Sequence, residues 1–196
     1  MGSAIDEASD RFFSFDPGDL SGLALLRSSF LSADTTATGV PTSYTLAFIS
    51  AIVAISLITT VLARDGDHLA LFALWMSSYF LVYGSWEHHY NMLLPVLVLL
   101  VALRPPLRPI ALAAFVLVAL PTPYWLLNNV WNTSPVPENE PLFNPQDVWP
   151  MWGVIVHHAS KAIPVAVLWA YLAASLLRRG VEVPRILSAK KPEPAL

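Results

Sequence analysis

The side chains best equipped for chemistry stand in one run, Trp86-Glu87-His88-His89-Tyr90-Asn91, which places a carboxylate, two imidazoles and a phenol side by side. Glutamate and histidine exchange protons with a substrate, and a protonated histidine holds phosphate through charge-assisted hydrogen bonds. Apolar stretches flank the run on both sides. Ionisable groups beside such stretches are costly, and they ordinarily face a protein interior or a water-filled cavity where they have work to do. Helical neighbours are ~100° apart, so Glu87, His88 and His89 cannot all share one face. Helical spacing lets Asn91 face the same way as His88 (three residues away) or Glu87 (four). The plainer alternative is a set of wet interfacial residues capping two helices.

A second pair, His157-His158, precedes another apolar stretch. Imidazole is the common ligand for zinc, iron and pigment magnesium, so His88, His89, His157 and His158 are candidate ligands for a metal or tetrapyrrole. Neither pair has the i, i+4 spacing of a helical chelate. There is no cysteine, which removes both disulfides and thiolate metal sites. Nucleophile-elbow, phosphate-loop and zinc-protease motifs are absent, and no cofactor is expected.

The elements that position these residues are apolar helices. Of 196 residues, 55% are hydrophobic and only 13% charged, against about 25% charged in a soluble domain. So few charges cannot clothe a water-facing surface, and lipid is the solvent that explains the deficit. Five apolar stretches follow one another: Ser43 to Ala63, His68 to Tyr83, Asn91 to Leu103, Ile110 to Leu127, and Lys161 or Ile163 to Leu177. The first crosses a hydrocarbon core of ~30 Å unaided, and the third spans only if it begins inside the His-His-Tyr segment. The expected fold is all-α: a polytopic membrane bundle of about five transmembrane helices.

Basic residues near span ends stay on the cytoplasmic side. Arg64, Arg104, Arg108, Arg178, Arg179, Arg185, Lys190 and Lys191 fall on one side of the five spans, leaving only Arg11, Arg27 and Lys161 on the other. The expected topology is N-terminus outside, C-terminus inside, with the Glu-His-His run outside. Residues 1–42 then form an extracytoplasmic segment, in which Leu20 to Leu31 is a short interfacial helix capped by Asp19. Residues 43–177 form the bundle, 128–160 a proline- and tryptophan-rich extracytoplasmic loop, and 178–196 a basic cytoplasmic tail. A net charge of −3 and the lack of long basic runs point away from nucleic acid. The apolar spans lack charged or Gly/Pro-broken midplane sites apart from Pro95, which disfavours half of a transporter.

Ser85-Trp86-Glu87-His88-His89-Tyr90, followed by Leu93-Leu94-Pro95 and a leucine/valine run, resembles the Ser-Trp-(Asp/Glu)-His-His segment of glycosyltransferase family 87. Leu20-Ser21-Gly22-Leu23 with Leu26-Arg27 is weakly similar to that family's Asn-Gln-Ser-Leu segment and its following arginine, with Gly18-Asp19 in place of Asn-Gln. The resemblance covers roughly residues 15 to 130. It implies a GT-C membrane enzyme of a prokaryotic plasma membrane that transfers a hexose such as mannose from a polyprenyl-phosphate sugar to an extracytoplasmic acceptor. It also implies that Trp86, Glu87, His88, His89, Tyr90, Asn91 and Arg27 contribute to substrate binding. Further cationic help at the phosphate would come from Lys161 or from an N-terminal half. Such enzymes carry their catalytic acid on the first extracytoplasmic loop, and Asp6, Glu7 and Asp10 do not match it. The expected partners are therefore the bilayer, the lipid-linked donor and an N-terminal half or other membrane subunit, without which the chain would be inactive. The other expectation is a non-enzymatic membrane subunit, ligating a metal or tetrapyrrole through its His pairs.

Overall fold

The computed structural model describes residues 20–28, 42–63, 67–123 and 151–188, with the side chains of 27, 28, 42, 151 and 179–188 excepted. Six α-helices appear among them: α1 Gly22–Ser28, α2 Thr42–Leu62, α3 His68–Val82, α4 Leu93–Leu103, α5 Arg108–Ala119 and α6 Met151–Ser188. Two 3-10 turns, Glu87–Met92 and Pro105–Leu107, lead directly into α4 and α5. No strand occurs among the described residues. Helices α2 to α5 alternate in direction through short connections. Each packs on its successor, and α6 closes the ring against both α5 and α2. The long α6 also packs on α3, and α1 packs on both α6 and α3, meeting α3 at Leu81 near its end.

The face that α6 buries is legible in its spacing. Val154, His158, Lys161, Val165, Leu168, Leu172 and Leu176 are each nearly or fully buried, and they recur every three or four residues, as a helix packing along one stripe requires. Helix α2 has the opposite polarity. It turns Thr45, Ser56 and Thr59 inward with Ile52, while Leu46, Ile55, Leu57, Ile58, Val61 and Leu62 stand exposed. The buried hydroxyls satisfy themselves locally and then bridge helices. Ser56 Oγ donates to the Ile52 carbonyl, lies 2.8 Å from Ser78 Oγ of α3, and accepts a hydrogen bond from Trp169 Nε1 of α6 at 3.0 Å. Trp75 Nε1 of α3 donates to Thr60 Oγ1 of α2 at 3.0 Å.

Two helices, Ser43–Leu62 and Trp152–Arg178, are long and apolar enough to cross a membrane by length and composition. His68–Val82, Glu87–Leu103 and Pro105–Ala119 are apolar but shorter. Three boundaries differ from the sequence reading. Helix α6 begins at Met151, about ten residues before the expected start, because the proline cluster ends at Pro150 and Met151 to Ile163 contains no proline to interrupt a helix. It also continues to Ser188, into the expected tail. Helix α5 stops at Ala119, where Leu120 turns to an extended conformation ahead of Pro121, as the residue before proline prefers. The cap of α1 is Ser21, whose Oγ accepts the Ala24 N–H at 3.1 Å. Asp19, the acidic tail, Arg64, residues 124–150 with Trp131 and Trp149, and residues 189–196 lie outside the described residues.

Helix α1 is seated by a close approach. A Cβ built on Gly22 would lie 2.8 Å from Leu81 Cδ2, 3.0 Å from the Leu81 carbonyl oxygen and 3.2 Å from Leu81 Cα. The leucine tip can rotate aside but the backbone atoms cannot, so Gly22→Ala should push α1 off the end of α3. Overpacking of this kind costs about 1–3 kcal/mol. Thermal unfolding of Gly22→Ala in detergent should show a clearly lowered midpoint, and an unchanged midpoint would contradict this packing.

Candidate functional site

The Glu-His-His run is a 3-10 turn at the junction of α3 and α4, and that local geometry decides what each side chain meets. A 3-10 helix turns once every three residues, so positions i and i+3 share a side. His88 and Asn91, three residues apart, are both exposed, whereas Glu87 and Tyr90 at the same spacing part, one half-exposed and the other buried. The turn is fastened at its start by a reciprocal pair. His89 N–H donates to the Trp86 carbonyl at 2.9 Å, and His89 Nδ1 accepts the Trp86 N–H at 3.1 Å. Nδ1 of His89 is thus the unprotonated nitrogen in this arrangement, and its ring lies 4.2 Å from that of His88.

Tyr90 belongs to the fold. It is 1% exposed, stacks on Phe80 with ring centroids 4.6 Å apart, and donates from Oη to the Leu20 carbonyl at 2.7 Å. The Leu20 N–H donates in turn to the Ser85 carbonyl at 2.7 Å. The segment entering α1 is therefore clamped at both backbone atoms of one residue to the two ends of the Ser85–Tyr90 loop. The substrate-binding role expected of Tyr90 has no exposed surface on which to act, since its ring and hydroxyl are committed internally.

Glu87 leads in the other direction, to the end of α5. Its Oε1 accepts the Thr122 N–H at 2.7 Å and its Oε2 accepts from Thr122 Oγ1 at 3.1 Å. Both carboxylate oxygens are thereby fixed on one residue, while the side chain stays 48% exposed. Lys161 of α6 stands behind it, 2% exposed, with Nζ 3.8 Å from Glu87 Oε1. The ammonium donates to the Val118 carbonyl at 2.7 Å and to the Leu120 carbonyl. Carbonyls at a helix C-terminus lack intrahelical partners and carry partial negative charge, so a lysine here both caps α5 and meets its dipole. Arg108 does the same at the far end of the bundle, donating from Nε to the Val101 carbonyl near the end of α4 at 2.9 Å.

The outcome is a rim with distinct inner and outer layers. Trp86, His88, Asn91 and half of Glu87 are exposed, and His89 is half-buried. Lys161, Thr122 and Tyr90 are buried beneath them. Lys161, considered a direct partner for a phosphate, is instead used internally: two carbonyls and the carboxylate surround it and it has almost no exposed surface. Arg27 lies on α1, and its side chain is outside the described residues. His157 and His158 are buried on α6, their rings 5.5 Å apart. Among the described residues no three His, Asp or Glu side chains are grouped closely enough to hold a metal ion, so the two histidine pairs do not converge on one chelate there. Thr122 was missed by sequence reasoning. Its only signal is a hydroxyl residue just past an apolar run, flanked by Pro121 and Pro123.

Comparison of the chain with protein-family models, curated proteins and solved structures finds no match.

The clamp on Leu20 can be measured by itself. Tyr90→Phe keeps the stacking on Phe80 and strands one buried carbonyl, which costs about 1–3 kcal/mol. A lowered unfolding midpoint with unchanged helix content is the expected result, and a midpoint equal to wild type would remove the clamp from the account.

Proposed function

We propose that the chain is an integral membrane bundle whose Glu87-His88-His89 rim forms part of an extracytoplasmic sugar-transfer site. The observation that carries the membrane part is the inverted polarity of α2. A core helix of a soluble protein is mostly buried, yet only 22% of the α2 window is buried and its exposed face is leucine, isoleucine and valine. Small hydroxyl residues inside and branched aliphatics outside are what lipid selects, because helices there associate through close packing and hydrogen bonds. The shorter helices reach further than their α-helical parts suggest. The 3-10 turn at 2.0 Å per residue plus α4 at 1.5 Å per residue gives about 28 Å, close to the ~30 Å core. Five spans with the N-terminus outside then put Glu87, Thr122 and Lys161 at the outer end and Arg104, Arg108 and Arg178 at the inner end.

The transfer reading rests on the resemblance of the Ser85–Tyr90 segment to glycosyltransferase family 87 and on the chemistry of the rim. Moving a hexose such as mannose from a polyprenyl phosphate requires a group that orients the acceptor hydroxyl and donors that stabilise the departing phosphate. Glu87 is a fixed, half-exposed carboxylate suited to the first task. His88, exposed beside it, suits the second when protonated. The catalytic acid would come from another membrane segment, with which this chain would form the complete site.

Replacing the gene in its native host and assaying membranes with polyprenyl-phosphate mannose tests the reading. Glu87→Gln and His88→Ala should each lower transfer about a hundredfold, within the range that a positioned acid or base contributes. Wild-type transfer in both variants would sink it. A metal or an absorbing prosthetic group that purifies with the chain and is lost in His157→Ala would favour the non-enzymatic subunit instead.

A further inference from the structure

Lys161 is a costly residue in its position. It is 2% exposed on a helix otherwise read as lipid-embedded, and a buried ammonium survives only when paired and hydrogen-bonded. An ammonium has three donors. Two are taken by the carbonyls of Val118 and Leu120, at the end of α5, and Glu87 Oε1 stands on its remaining side at 3.8 Å. With almost no exposed surface the ammonium is out of a substrate's reach, so the lysine acts through the groups it holds. Those groups are well chosen. Val118 and Leu120 flank Ala119, the last residue of α5, and Thr122, two residues further, is the residue that holds both oxygens of the Glu87 carboxylate. Between these points the chain has already left the helix at Leu120, and the side chains of Leu120 and Pro121 are exposed, so the bond to the Leu120 carbonyl is a restraint on the path to Thr122.

We infer that Lys161 is a positioning residue for Glu87: its ammonium pins the C-terminal end of α5, and so places Thr122 where it fixes the carboxylate. The role of the lysine is therefore geometric. It sets the register of α6 against α5, the register sets Thr122, and Thr122 sets the direction in which the unshared lone pairs of Glu87 face outward to a hydroxyl. This assignment rests on the reading of Glu87 as a substrate-facing carboxylate.

The chain has no native cysteine, so paired cysteines can report the geometry without an activity assay. Glu87→Cys with Thr122→Cys, joined by a short bismethanethiosulfonate, reads the junction. Ser56→Cys with Ser78→Cys, whose parent hydroxyl oxygens lie 2.8 Å apart, forms a direct disulfide and reads the rest of the bundle. In full-length protein in membranes, Lys161→Met should lower the junction cross-link about fivefold or more, a change of roughly 1 kcal/mol, and leave the control disulfide unaltered. An unchanged junction cross-link overturns the inference, whatever the transfer rate. If Lys161→Met also loses the control, Lys161→Gln decides between the outcomes. Selective loss of the junction cross-link in that variant supports a positioning role. Loss of both cross-links, or of neither, overturns it. Transfer by Glu87→Gln is measured separately: a wild-type rate there would remove the sugar-transfer reading and leave the cross-linking result standing.

Discussion

The bundle depends on one buried charge. Taking an ammonium out of water costs several kcal/mol even after relaxation, and only a site with ready acceptors can offset that. Lys161 finds its acceptors at the end of α5, where the helix leaves carbonyls uncommitted, and beside a carboxylate from a third element. Three elements distant in sequence are thereby tied at a point: the 3-10 turn before α4, the end of α5, and the first half of α6. Removing the acceptors would leave the buried ammonium under-satisfied, whereas the half-exposed Glu87 keeps access to water. The location of the whole polar rim follows from where this charge can be tolerated.

Away from that point, cohesion comes from smaller devices. Ser56, Ser78 and Trp169 join α2, α3 and α6 through hydroxyls that first satisfy their own helix carbonyls. Gly22 lets α1 sit directly on the backbone of Leu81. Tyr90 and Ser85 hold Leu20 at both its carbonyl and its N–H. Each contact brings backbones together or bridges helices by a hydrogen bond, the kind of cohesion that the proposed membrane setting requires. The Glu-His-His run is therefore divided in labour. Tyr90 and the backbone at Trp86 and His89 hold the turn, while Glu87 and His88 remain at the surface.

The sequence made part of this legible. The helical class follows from the succession of apolar runs, and the grouping of acid and imidazole was visible at Glu87-His88-His89. Helical geometry keeps Glu87, His88 and His89 off a single face, and Glu87 does turn away to Thr122, but the two imidazoles stay together with ring centroids 4.2 Å apart. What sequence could not supply was the partner set. Uniformly apolar helices such as α2 and α3 carry almost no amphipathic signal, so the inward face, and with it Ser56 and Ser78, cannot be picked out from periodicity. The 3-10 character of residues 87–92 was equally hidden, and with it the division between the buried Tyr90 and the half-exposed Glu87. Thr122 and Lys161 lie 35 and 74 positions beyond Glu87, and no local pattern links residues so far apart. Helix α6 begins earlier than expected, immediately after Pro150 closes the proline cluster, and it accommodates Pro164 within its length.

Labelling of single cysteines with a membrane-impermeant maleimide in intact cells tests the proposed outward placement of the rim most directly. Exposed rim positions, His88→Cys and Asn91→Cys, should react without permeabilisation, whereas Arg108→Cys at the opposite end of the bundle should react only after it. Labelling of Arg108→Cys in intact cells with His88→Cys protected, or recovery of the chain as a soluble protein, would contradict the account.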